Sequence, residues 1–230
     1  MGKVSDLTFI LVSCGLCMCW GCLGDQAKAS AGSLSEVIEE DLSKESPVRF
    51  IEIHREGLPS TKYQSDSDHS SISFQTGHWE IVNLIGWFES FQVVMYSDSF
   101  DFSDAVIYAQ VDPTSIRMPN VKMSGTASKA PYIDSEAYPM VTFESREIKP
   151  VGDDQFIVLG IFGMNGVEKL VEFIARFQGF AYPGEKSICG FHAFGKIDRN
   201  DFSIGGDDRL HSGKAVHSDT IELRLDLRME

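Results

Sequence analysis

The segment near the carboxyl terminus constrains the fold most. Ile221, Leu223, Leu225 and Leu227 alternate without a break with Glu222, Arg224, Asp226 and Arg228. Successive side chains of a strand point to opposite faces, so a period of two describes a strand with one apolar and one charged face. Weaker versions recur upstream. Ile72 and Phe74 alternate with Ser71 and Ser73, and Ala105, Ile107, Ala109 and Val111 alternate with Val106, Tyr108 and Gln110. Val141 and Phe143 follow Pro139, residues 79–88 and 156–162 are apolar on both faces, and Phe50, Ile51 and Ile53 make a short candidate strand. Gly57-Leu58-Pro59-Ser60, Gly125, Gly152-Asp153-Asp154, Gly163 to Gly166, Pro183-Gly184 and Gly205-Gly206 punctuate these runs. Many short strands without long helices between them predict one all-β domain, a barrel or sandwich, over residues 63–230. One stretch fits two patterns. Leu170, Val171, Ile174 and Phe177 share a helical face, whereas Val171, Phe173, Ala175 and Phe177 share a strand face.

The amino terminus belongs to a different regime. Leu7 to Gly24 carries no charged side chain, Lys3 precedes it, and Ala27-Lys28-Ala29 offers a small-x-small cleavage pattern before Ser30. This layout predicts an export signal over residues 1–29 and a periplasmic or secreted domain. If retained, the run approaches the length of a bilayer-spanning helix. Leu11-Val12-Ser13-Cys14 also resembles a lipobox, which would make Cys14 a lipidated membrane anchor; on either route, membrane contact is expected only through this terminus. Cys14, Cys17, Cys19 and Cys22 have a spacing that could suit a metal, but Leu11, Val12, Leu16, Met18 and Trp20 around them argue against it. Cleavage would leave Cys189 as the one remaining cysteine, so no internal disulfide is expected. Residues 30–62 read as a tether with a short helix, from the Ser33/Glu36 capping box and the Leu34, Ile38, Leu42 spacing, and a further strand at residues 50–53.

With 34 Asp+Glu against 20 Lys+Arg, the net charge of −14 repels phosphate backbones, so no nucleic-acid partner is expected. The chain has no G-x-S-x-G elbow, P-loop, H-E-x-x-H or dinucleotide fingerprint, so neither catalysis nor a cofactor is predicted.

From residue 63 onward, ordered motifs resemble the YceI-like family of lipid- and polyisoprenoid-binding proteins. They begin with Asp68-His69-Ser70, Ile72, Phe74 and His78, then Gly86-x-Phe88-x-x-Phe91 and Ser115-Ile116. Tyr138-Pro139 with Thr142-Phe143-Glu144-Ser145, Gly160, Gly166-Val167, Gly190-Phe191-x-Ala193 and Arg199-x-Asp201-Phe202 follow in the family's order. The resemblance implies an antiparallel, lipocalin-like barrel with one or two short helices and an elongated apolar pocket. It also implies a strand over Val167–Phe177. Two departures stand out. Lys122 to Ala130 lack the D-H-L segment of many members, which predicts a helix reduced to a fragment around Tyr132–Ala137, and Ser203 replaces a glycine.

Alternation, with Phe88 added from its motif, gives an inward set of Ile72, Phe74, Phe88, Ile107, Val141, Phe143, Phe191, Ile221 and Leu223. An eight-stranded barrel can fill its interior with such residues or hold one small ligand. The resemblance favours a pocket binding an isoprenoid or other lipid-like amphiphile, of quinone or polyprenyl phosphate type. The alternative is a non-catalytic interaction module with a solid core, binding a protein partner. His69 and His78 are candidate head-group contacts; a zinc pair or hydrogen-bonded structural groups are the other readings. His192 is expected to face away from the pocket, and Arg199 to pair locally with Asp201. An open edge strand would allow a homodimer.

Overall fold

The computed structural model describes residues 49–230 except 54, 184–186, 207, 208, 210, 211 and 214. The expected export signal, the lipobox, the four clustered cysteines and the Ser33 capping box lie outside the described residues.

The strands are β1 (Lys62–Gln64), β2 (Ser71–His78), β3 (Val82–Phe88), β4 (Phe91–Tyr96), β5 (Val106–Val111) and β6 (Ile116–Arg117). One helix, α1 (Val121–Ala127), precedes β7 (Val141–Pro150), β8 (Gln155–Met164), β9 (Val167–Ala181), β10 (Ile188–Asp198) and β11 (His217–Met229). All pairings are antiparallel, in the order β1-β4-β5-β7-β8-β9-β10-β11-β2-β3-β6. The sheet closes where β1 meets β11. β1 and β2 run along the same side of β11: Gln64 and Glu230 exchange backbone hydrogen bonds of 2.8 and 2.9 Å, and Asp66 N–H donates to Arg228 O at 2.8 Å. β3 and β4 likewise act as one kinked strand opposite β2 and β1. The result is the expected lipocalin-like antiparallel barrel, whose closure leaves few unpaired backbone edges.

β9 resolves the ambiguous stretch in favour of a strand. Val171, Phe173 and Ala175 are buried, while Leu170 and Ile174, which a helical face would have buried, are 63% and 45% exposed. Tertiary context explains why pattern alone could not decide: the outer face of β9 tolerates apolar residues in solvent.

Three local expectations are corrected. Phe50–Ile53 forms no strand; the Gln110 side-chain amide takes the place of strand pairing, accepting from Ile51 N–H at 2.8 Å and donating to Ile51 O at 2.7 Å. The helix lies at Val121–Ala127, not at Tyr132–Ala137. Asn120 caps it, its Oδ1 accepting from Lys122 N–H at 2.8 Å, and two turns are too short to show a helical stripe in the sequence. Arg199 does not pair with Asp201. Its Nη2 lies 3.2 Å from Asp219, while Asp201 binds Lys169 on the surface at 3.1 Å. A short 3-10 turn over Arg199–Phe202 swings neighbouring side chains apart, and Ser203 ends it at φ 55°, the left-handed region where the family motif has glycine.

Candidate functional site

The barrel interior is hollow in two neighbouring places. An inner chamber of about 130 Å³ and an outer chamber of about 450 Å³ share Phe88, Met164 and Leu223, which stand between them. Ile72, Ile107, Val141, Phe143 and Phe191 line the inner chamber, Phe74 and Ile221 the outer, and Phe88 and Leu223 both. All nine residues of the expected inward set therefore stand on a chamber wall.

The inner wall is apolar apart from Thr142, whose neighbours Val141 and Phe143 point inward while it is exposed on the outer face. Sequence reading missed Val93 and Met95 on β4, and Phe156, Val158, Phe162 and Met164 on β8. β8 is apolar on its two faces and β4 breaks that pattern only at Gln92 and the Tyr96 hydroxyl, so parity gave little signal; the burial of alternate residues from Phe156 to Met164 reveals it. Phe102 also stands on the inner wall. It is 3% exposed, with ring centroids 5.2 Å from Phe177 and 5.1 Å from Phe191. Its φ of 55° is uncommon for a bulky residue, so packing holds the backbone against its local preference.

The outer chamber has a different character. Thr76, His78, Lys122, Thr126, Tyr132, Arg199 and His217 join its apolar wall, and among the described residues no Asp or Glu does. Of its two formal cations, Arg199 is ion-paired with Asp219, 3.2 Å away. Arg199, 7% exposed, donates through Nη1 to the carbonyls of Ile204 (3.0 Å) and Gly206 (3.4 Å), and its buried Nε has no hydrogen-bond partner among the described residues. These contacts fix the loop that forms one side of the chamber. Opposite strand positions on β2 and β11 bring His78 and His217 together, with Nδ1 atoms 3.4 Å apart. Trp79 stacks on His78 at 4.6 Å between centroids.

The two histidines singled out by sequence are not brought together. They flank β2 at opposite ends, about 25 Å of strand apart. His69 is exposed, with Nδ1 2.8 Å from Asp66 Oδ2 and 2.9 Å from Arg228 Nη1, and it lines neither chamber. Desolvation acts to raise the Asp66 pKa, but hydrogen bonds from His69 and Asp68 N–H bring it below the ordinary 3.8. The zinc reading of His69 with His78 fails on this separation. Among the described residues no group of three or more His, Cys, Asp or Glu could hold a metal. His78 alone reaches a chamber, with His217 as its partner, which no motif announced. His192 faces outward as expected, 2.8 Å from Asp226.

Comparison with known proteins places this geometry in a group. Residues 63–229 match the YceI-like domain model. A UPF0312 protein of Staphylococcus aureus is 25% identical over 155 residues, covering 66% of this chain and 88% of the relative. The YceI protein of Escherichia coli is 28% identical over 147 residues, covering 64% of this chain and 76% of the relative. Among solved structures, BcnA of Burkholderia cenocepacia superposes with a TM-score of 0.64 at 18% identity, over 71% of this chain and 98% of its own. A polyisoprenoid binding domain from Saccharophagus degradans, implicated in plant cell wall breakdown, gives a TM-score of 0.55 at 14% identity, over 73% and 97%. At these identities the structural likeness speaks for the barrel fold, and the domain match for descent: the chain belongs to the YceI-like family.

Proposed function

We propose that the protein binds an isoprenoid amphiphile, with the tail in the inner chamber and the head group in the outer chamber. One observation carries the reading: an apolar chamber with Phe102 on its wall adjoins a larger one whose described lining includes Lys122, His78 and Tyr132 and no Asp or Glu. The outer chamber has the size of small-molecule sites. Each buried CH2 of a tail would contribute about 0.8 kcal/mol, so useful affinity needs no strong polar anchor. The polyisoprenoid-binding relative supports the ligand class. Lys122 supports an anionic head, of polyprenyl phosphate type, over a neutral quinone, whereas Arg199 is already committed to Asp219 and two backbone carbonyls. Holding such a ligand makes and breaks no bond, so the role is a carrier or sequestering one. Export through residues 1–29 would put it in the periplasm or outside the cell. The solid-barrel interaction module requires a filled interior, and the two chambers run against it.

The test is to purify the protein without detergent, extract it with organic solvent and analyse the extract by mass spectrometry. A stoichiometric isoprenoid is expected. An empty extract, followed by no uptake of added farnesyl phosphate or geranylgeranyl phosphate, would overturn the reading.

A further inference from the structure

Among the exposed apolar side chains of the barrel, several stand on the elements that wall the outer chamber. At the β2–β3 tip, Trp79 is 48% exposed, Ile81 74% and Val82 53%; at the start of α1, Val121 is 88% exposed. Singly such residues are ordinary. Here both elements are also walls of the outer chamber: His78, beneath the Trp79 ring, and Lys122, beside Val121, line it. The lip is thus continuous with the cavity. From Ile72 to Phe88 the hairpin carries one formally charged residue, Glu80, although charged residues make up 23% of the chain.

We propose that this lip is a membrane-docking surface that seats the mouth of the cavity in the interfacial layer of a lipid bilayer. The proposal rests on the lipid-binding reading above. Three features fit a bilayer better than a protein partner. The lip opens onto a cavity suited to a ligand that itself partitions into bilayers, so the tail can pass between them without crossing water. Tryptophan indoles favour the membrane–water interface. The one formal charge of the hairpin, Glu80, stands at the lip, where the hydrated interfacial layer can accommodate it, and Trp79, Ile81 and Val82 around it offer a protein partner few polar groups to recognise. The net charge of −14 opposes anionic lipid, so the surface fits a zwitterionic bilayer. Only the lip enters: Trp87, on the outer face of β3, lies about 17 Å along the strand from Val82, beyond the roughly 5–10 Å reached by interfacial elements.

Two forms of the full chain test this against phosphatidylcholine vesicles with brominated acyl chains. One keeps Trp79 as its only tryptophan (Trp20→Phe, Trp87→Phe), the other Trp87 (Trp20→Phe, Trp79→Phe). Trp79 emission is expected to shift to the blue and fall at least twofold, while Trp87 emission stays unchanged. Tethering through the amino-terminal apolar run alone would leave Trp79 unquenched and would overturn the proposal. Equal quenching of both indoles would also overturn it, as lateral adsorption. A Trp79 shift that depends on protein concentration and not on vesicles would assign the lip to a second copy of the chain and overturn it. Ile81→Asp, at a position lining neither chamber, separates docking from binding. It should slow transfer of geranylgeraniol from phosphatidylcholine vesicles at least tenfold while leaving affinity for the same alcohol in vesicle-free buffer unchanged. Unchanged transfer with normal affinity sinks the docking surface; no affinity in either protein sinks the binding reading itself.

Discussion

The ring of Phe173 lies over Gly195, its direct partner across β9 and β10, so closely that a Cβ on Gly195 would sit 2.6 Å from Phe173 Cδ1. The glycine makes room for an aromatic ring that lines the inner chamber. Phe74 over Gly86 and Phe143 over Gly160 repeat the device. Gly195→Ala must therefore displace a buried ring, at a cost of about 1–3 kcal/mol. Gly152→Ala, whose new Cβ would meet nothing closer than Gln155 Cβ at 3.8 Å, should change stability by less than about 0.5 kcal/mol. Urea denaturation of the two variants provides the comparison, and equal midpoints would refute the packing argument.

Filling the inner chamber should act on long tails selectively. Ala193 lines that chamber and not the outer one, so Ala193→Leu places extra carbons where the tail is proposed to lie. Affinity for geranylgeranyl phosphate should fall at least tenfold, with a stability change below about 1.5 kcal/mol because there is space to fill. Isopentenyl phosphate, too short to enter, should bind both proteins alike. Titration calorimetry with the two ligands would decide.

Arg199 and Asp201 should behave oppositely under substitution. Arg199 spans two backbone carbonyls and Asp219 at once, a fork that a lysine ammonium cannot reproduce. Arg199→Lys is expected to cost about 1–3 kcal/mol. Asp201→Asn removes only an exposed pair with Lys169 and should cost less than about 1 kcal/mol. Thermal melts showing equal losses would contradict this assignment.

Ser203 holds a left-handed backbone at φ 55°. Ser203→Gly should raise stability by up to about 1 kcal/mol, because glycine adopts this conformation without the Cβ clash. A lower unfolding midpoint would show that a side-chain contact outweighs the backbone strain.

Burial pushes the Cys189 thiol from its ordinary 9.0 up to about 11. In the unfolded chain the thiol ionises near 9, so between these values the folded state holds a proton that the unfolded state has lost. The associated stability is complete below pH 9 and declines as pH rises toward about 11. The difference in unfolding midpoint between the wild type and Cys189→Ala should shift against the wild type over that window. A difference independent of pH would count against a buried neutral thiol.

Much of the barrel was legible from residues alone where one face meets solvent. On β11 the alternation of Leu223 and Leu225 with Arg224 and Asp226 specified both the strand and its inward side. On β8, apolar on both faces, and on β4, where Gln92 is the one fully polar side chain, parity said little, and Met95, Phe162 and Met164 escaped notice. Short-range signals also misled where a tertiary partner intervened. Ile51 is bound by a side chain 59 residues away, and Arg199 passes over its near neighbour Asp201 for Asp219.

The sequence by itself determined the period-two strands and part of the set that faces inward, while the choice of barrel over sandwich came from the family resemblance. Burying one side of each strand is a local condition, readable residue by residue. Only the tertiary structure decided that this interior is hollow, that Phe88, Met164 and Leu223 stand between its two chambers, and that His78 meets His217 while His69 stays outside. Those outcomes depend on ring closure and strand register, which join residues far apart in the chain, and no local pattern encodes the volume left between side chains that meet only when the barrel closes.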